Sequence, residues 1–130
     1  MPIRILVVDD HEICRLGLRL LCASRTEWQI CEEASDAQEA IHKVLEFAPD
    51  IAILDVCLPG GMSGFDAAVQ IRRLAPAVKI ILFSFHDLPV TARLTGADAF
   101  VCKSSRAAVM VAAIERLSRP QLIARSASAT

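Results

Sequence analysis

Five short apolar runs alternate with helical patterns along this chain, and the alternation predicts a doubly wound α/β domain on a five-stranded parallel sheet. Three observations carry that reading. The runs at residues 3–8, 50–55 and 78–84 are nearly unbroken by polar residues, as strands covered on both faces are. Between them stand segments with helical spacing or helix caps, and parallel neighbours need such crossovers, which are right-handed. Acids terminate two of the runs, at Asp9–Asp10 and at Asp55.

The elements follow in order. "IRILVV" (3–8) stops at two carboxylates, and residues 12–24 then place apolar side chains at 13, 16 and 20 and at 14, 18 and 21, a helical period. "WQICEEAS" (28–35) alternates as a strand does. Asp36 is a good N-cap with Glu39 three residues on; Ala40, Ile41, Val44 and Leu45 form the buried stripe of the second helix, and Pro49 ends it. "DIAILD" (50–55) is the third strand, and "LPGGMSG" (58–64) is turn chemistry throughout. Residues 65–74 read as a helix, 78–84 as a strand, 88–95 as a short helical segment and 98–103 as the fifth strand. Ser104 or Ser105 is then expected to cap a last helix ending near 117. The Ser- and Ala-rich tail, 118–130, reads as a linker or frayed end, leaving 1–117 as the folded domain.

Bulk composition narrows the function classes. At 130 residues, 54% hydrophobic and 22% charged, the chain is an ordinary globular domain rather than a disordered segment. A net charge of -1 argues against a nucleic-acid surface. The five cysteines (14, 22, 31, 57 and 102) form no C-x-x-C pair and are expected to be mostly small buried apolar side chains in a reduced cytosol. The N-terminal run is too short for a membrane span and unlike a signal peptide, so a cytoplasmic domain is expected.

In open α/β sheets the ligand site lies beyond the carboxyl ends of the strands. The residues placed there are Asp9, Asp10, Asp55, Ser84 and Lys103. Asp10 alone could serve as a helix cap, but Asp55 lies about ten residues before the next helix, so capping does not account for the set. Two carboxylates about 4 Å apart repel by roughly 1 kcal/mol in water and nearer 4 kcal/mol at an effective protein dielectric. A hard divalent cation such as Mg²⁺, which binds one or two carboxylates plus water and phosphate oxygens, offsets that. A phosphoryl group arriving there needs a hydroxyl and a cation, supplied by Ser84 and Lys103, and an Asp carboxylate is a competent nucleophile toward it.

This constellation over residues 3 to about 117 resembles the receiver domain of two-component response regulators, the CheY-like superfamily on the flavodoxin-like (βα)5 fold. "VVDDHEICRLGL" and "FSFHD" resemble the NarL/FixJ subfamily, whose receivers usually precede a DNA-binding domain. The resemblance implies that Asp55 is phosphorylated by a sensor histidine kinase or phosphotransfer protein. It implies Mg²⁺ held by Asp10, Asp55 and the backbone carbonyl of Cys57, with Asp9 acting through water. Lys103 would pair with the phosphoryl group and Ser84 would move to meet it, while Phe100 would turn inward as the aromatic switch. The side chains of Cys57 and His86 would tune hydrolysis. Such a domain is a phosphoacceptor with slow self-hydrolysis rather than a metabolic enzyme, can form a homodimer, and reaches DNA only through a separate output domain.

Two departures from the family pattern stand out. The loop after Asp55 is one residue longer than usual, and only eleven residues separate Ser84 from Gly96, about one helical turn short. Helix 4 should therefore be shortened, which puts the output face in question and leaves a phosphorylation-independent interaction module as the alternative. An Asp-nucleophile phosphatase is disfavoured because Cys57 stands where that class resembles D-x-D. A flavodoxin is disfavoured by the acidic loop after the first strand.

Overall fold

The computed structural model describes residues 2–87 and 90–129. Strands β1 (Ile3–Val8), β2 (Trp28–Ala34), β3 (Ile51–Asp55), β4 (Lys79–Ser84) and β5 (Ala99–Cys102) form one sheet in the order β2-β1-β3-β4-β5. Every pairing is parallel. Helices α1 (Glu12–Ala23), α2 (Ala37–Phe47) and α3 (Gly64–Leu74) form the first three crossovers, a 3-10 helix at Val90–Thr95 lies in the fourth, and α4 (Ala107–Ala129) follows β5. This is the doubly wound architecture that the alternation predicts, with the flavodoxin-like strand order and the shortened helix between β4 and β5 that the family resemblance implies.

The strands are apolar because both sheet faces are covered. Leu6, Val8, Ala52, Leu54, Ile80 and Leu82 point to the layer containing α2 and α3. The alternate residues Ile5, Val7, Ile53, Ile81 and Val101 point to Leu18 and Cys22 of α1 and to Met110 and Ile114 of α4. Strand order reverses between β1 and β3, so the crevice at their carboxyl ends opens between the Asp9–Asp10 and Asp55 loops.

Local chemistry agrees with most of the expected boundaries. Asp36 Oδ1 accepts the Glu39 N–H at 2.8 Å as the N-cap of α2. Ser63 and Asp66 form a capping box at α3. Four expectations need correction. Leu45 is more than half exposed, and Ala37 takes its place in the buried stripe of α2. Ser104 and Ser105 do not cap the last helix, which starts at Ala107; residues 103–105 turn first, with the Ser105 N–H donating to the Cys102 carbonyl. The backbone of α4 stays helical to Ala129, past 117, consistent with the strong helix formers Gln, Leu, Ala and Arg in the segment. All five cysteines are free, but only Cys22 is buried; Cys57 is exposed, and Cys14, Cys31 and Cys102 are partly buried. The expected helical segment at 88–95 begins at residues outside those described.

One contact fixes the entry to α3. A Cβ on Gly64 would stand 2.0 Å from the backbone oxygen of Asp55 and 2.8 Å from Val56 Cα, and the Gly64 N–H donates to the Val56 carbonyl at 2.8 Å. The first turn of α3 therefore rests directly on the backbone of the site, a clearance only glycine permits. Gly64→Ala is expected to lower unfolding free energy by about 1–3 kcal/mol, the range for overpacking, measured by urea denaturation. A change of a few tenths would show that the loop yields freely.

Candidate functional site

The strand ends bring three carboxylates and one ammonium together. Asp9 and Asp55 are almost wholly buried, and the Lys103 ammonium, from the turn after β5, bridges them at 2.7 Å to Asp9 Oδ2 and 3.3 Å to Asp55 Oδ2. The Phe83 and Phe85 rings stand 5.5 and 5.4 Å from the same ammonium, an apolar collar with a cation-attracting face. Asp9 Oδ1 accepts the backbone N–H of His11 at 2.9 Å, and Asp55 Oδ1 accepts that of Cys57 at 3.1 Å. Asp10 is exposed, with the His11 imidazole 3.1 Å from its carboxylate.

Charge and burial set these groups apart. Burial pushes the Asp9 carboxyl up, but the Lys103 ammonium and the His11 N–H outweigh it and hold Asp9 below its ordinary range. Burial and then the charge of Asp9 push Asp55 above its ordinary value, despite the Cys57 N–H and Lys103. Burial also works against the Lys103 charge, yet the two carboxylates raise its pKa. One carboxylate is thus electrostatically satisfied and the other is not.

One ligand atom each from Asp9, Asp10, His11 and Asp55 all lie within 4.8 Å of one another. Carboxylate oxygens at this spacing fit a hard cation. Both Asp9 oxygens already accept hydrogen bonds, whereas among the described residues Asp10 carries only the exposed His11 contact, so Asp10 is the freer direct ligand.

Residues 5–115 match the response regulator receiver domain family. The chain belongs to that family. It is 35% identical over 122 residues to the transcriptional regulatory protein LiaR of Bacillus subtilis, covering 90% of this chain and 56% of LiaR. It is 29% identical over 126 residues to the response regulator protein VraR of Staphylococcus aureus, covering 95% and 60%. The chain thus spans little more than half the length of these relatives. Among solved structures, a LuxR-family two-component response regulator from Aurantimonas superposes with a TM-score of 0.84 at 38% identity, covering 90% of this chain and 85% of that one. The receiver domain of NarL from Mycobacterium tuberculosis gives 0.82 at 28% identity, covering 91% and 98%. The NarL/LuxR-type resemblance is therefore matched by both relatives and structures.

The remaining sequence-predicted residues of this receiver separate into near and far. Ser84 is buried at the end of β4, its Oγ accepting the His86 N–H at 3.1 Å, and its carbonyl accepts the Lys103 N–H at 2.7 Å. Cys57 and His86 are exposed, and Phe100 is about one-third exposed on β5. Sequence reasoning missed His11, Cys14 (Sγ 3.8 Å from the Lys103 ammonium) and the Phe83–Phe85 collar. The "DDH" run could have signalled His11; the collar depends on where the Lys103 side chain lies. Among the described residues no helix is long and apolar enough to cross a membrane.

A carboxyl that holds its proton more tightly in the folded than in the unfolded state costs stability wherever both states are ionised, and the cost fades as pH falls through the folded value. Asp55 is that case. Asp9 is the reverse: its contribution is present at neutral pH and is lost as pH falls below the ordinary carboxylate value of 3.8. Asp55→Asn should therefore raise the urea midpoint at pH 7 without divalent metal, and Asp9→Asn should lower it. The Asp55 difference should shrink as pH falls through its raised folded value, and the Asp9 difference only below 3.8, as pH falls toward its lowered folded value. Equal effects of the two substitutions at pH 7 would contradict the asymmetry.

Proposed function

We propose that this receiver accepts a phosphoryl group on Asp55 from a sensor histidine kinase or phosphotransfer protein, with Mg²⁺ at the Asp9–Asp10–Asp55 cluster. The modified domain then changes partner affinity and regulates transcription through an output domain outside these 130 residues. The observation that carries the reading is the environment of Asp55: a buried carboxylate at the sheet's switch point, between an acidic cluster and the Lys103 ammonium.

The residues divide the work. An Asp55 oxygen attacks phosphorus, the bond from phosphorus to the donor imidazole nitrogen breaks, and the imidazole leaves with that electron pair and is later protonated by water. The Cys57 N–H holds one Asp55 oxygen in place, leaving the other toward Lys103. Bound Mg²⁺ supplies neutralisation of phosphoryl charge; Asp10, Asp55 and the Cys57 carbonyl would hold it, with Asp9 reached through water. Lys103 exchanges its Asp55 contact for a phosphoryl oxygen and keeps Asp9. Ser84 turns its hydroxyl from His86 to the phosphoryl group, and Phe100 moves inward behind it. Exposed Cys57 and His86 set water access, so hydrolysis is slow and the domain acts as an acceptor rather than an enzyme with turnover. A cytoplasmic location follows from a kinase donor of this kind.

A homodimer through α1 fits the output step, in place of the shortened fourth crossover. Ile13, Leu16 and Leu20 form an exposed apolar stripe, with Gly17 at its centre. A Cβ on Gly17 would meet nothing within 4 Å, so the monomer gains nothing from the roughly 1 kcal/mol that glycine costs in a helix. Beside the stripe, a cleft of about 220 Å³ lined by Leu18, Leu21, Phe83, Phe85, Val101 and Met110 has room for an aliphatic side chain. Two antiparallel α1 helices about a two-fold axis set Ile13 against Leu20 of the second copy, and acidic Asp10 and Glu12 toward basic Arg25.

Intact mass after incubation with a small phosphodonor tests the first step: a Mg²⁺-dependent gain of one phosphoryl group is expected in wild type and none in Asp55→Asn. No gain under any condition would favour the phosphorylation-independent module. Sedimentation velocity tests the second step, with association expected to rise with concentration and to be lost in Ile13→Glu and Leu20→Glu while phosphoryl uptake persists. Wild type that stays monomeric with and without phosphodonor would overturn the dimer.

A further inference from the structure

Asp10 occupies an exposed position with little to hold it. Among the described residues its carboxylate meets only His11, itself two-thirds exposed. The backbone must therefore decide where the Asp10 carboxylate points. Asp9 is secured on one side, where its N–H donates to the Ala34 carbonyl at 3.0 Å. On the other side the carbonyl of Asp9, which belongs to the peptide joining it to Asp10, accepts a hydrogen bond from Nη1 of Arg15.

Arg15 is unusually well anchored for this. Its Nε donates to Glu33 Oε1 on β2 at 3.1 Å and its Nη2 pairs with Glu12, so each guanidinium nitrogen has an acceptor and the side chain is mostly buried. The planar fork with three fixed acceptors defines one orientation of the Asp9 carbonyl, which a point-charge ammonium could not do. Arg15 sits one turn inside α1, where side chains lean back toward the helix N-terminus, so the reach of six residues is natural. Arg19 bonds the same two carboxylates, Glu12 and Glu33, but makes no contact with Asp9.

We infer that Arg15 is a positioning residue: by clamping the peptide between Asp9 and Asp10 it holds the metal-binding carboxylates in register and sets the Mg²⁺ affinity of the receiver. The inference rests on the proposed Mg²⁺ site. It adds a group that touches neither metal nor phosphoryl.

Arg19→Ala supplies the matched control, because it removes one cation and the same ionic partners without touching the Asp9 carbonyl. Mg²⁺ is titrated calorimetrically into wild type, Arg15→Ala, Arg15→Lys and Arg19→Ala, each checked for folding by circular dichroism. Phosphoryl uptake is then followed as a function of Mg²⁺. Loss of a supporting partner of a metal ligand typically costs about ten- to a hundredfold in affinity, so Arg15→Ala and Arg15→Lys should weaken Mg²⁺ by about that factor and Arg19→Ala by less than about twofold. The plateau uptake rate at saturating Mg²⁺ should be unchanged in all three. Unaltered or tighter Mg²⁺ binding in Arg15→Ala, or an equal loss in Arg19→Ala, would overturn the clamp and leave an ordinary ionic staple between α1 and β2. Absence of Mg²⁺ binding in wild type would instead overturn the metal site on which the clamp rests, and Arg15→Lys keeps the question open to refutation if the alanine variant misfolds.

Discussion

A single ammonium lets two carboxylates share the buried end of this sheet. Lys103 spans Asp9 and Asp55 with almost no exposure to water, where unpaired charge would be far more costly than at the surface. Three charges remain a net negative cluster, and the asymmetry between a satisfied Asp9 and an unsatisfied Asp55 follows from which carboxylate Lys103 sits nearer. That residual negative charge suits the crevice to a hard cation. The bridge also ties β5 to β1 and β3 across the sheet, so a change at Asp55 is felt by the turn that leads into α4.

Backbone geometry supports this electrostatic arrangement from both sides. The Gly64 contact presses the first turn of α3 onto the Asp55 backbone, and Arg15 holds the Asp9 carbonyl from the direction of β2. Neither residue bonds the side chains of Asp9, Asp55 or Lys103. Their effect is to remove freedom from loops that would otherwise spread apart under mutual repulsion. Sites built this way owe their precision to neighbours whose own positions are over-determined.

The outer surface shows where the chain departs from the pattern of its family. Six residues of 3-10 helix replace a full fourth helix, while α1 presents an apolar stripe around an unexplained glycine. These two features are complementary: a reduced surface on one side of the sheet and an uncovered one on the other. A domain that transmits its state through α1 has a short physical path to do so, since Cys14 and the Phe83–Phe85 collar adjoin both Lys103 and the α1 cleft.

The strands, their parallel order and the shortened fourth crossover were legible in the sequence because unbroken apolar runs, acids at their ends and residue counts are local properties of the chain. Asp9, Asp10, Asp55, Ser84 and Lys103 were legible for the same reason: each directly follows or ends a strand, and the fold class alone sends those ends to one edge. Exposure was less legible. Leu45 and four of the five cysteines lie outside the core, because helical spacing gives a face but not the neighbour that covers it. Which carboxylate Lys103 favours, that two aromatic rings stand beside it, and that Glu33 on β2 anchors Arg15 as it reaches Asp9 were decided only by tertiary structure. Each depends on distances between segments far apart in the chain, and a one-dimensional pattern contains no such distances.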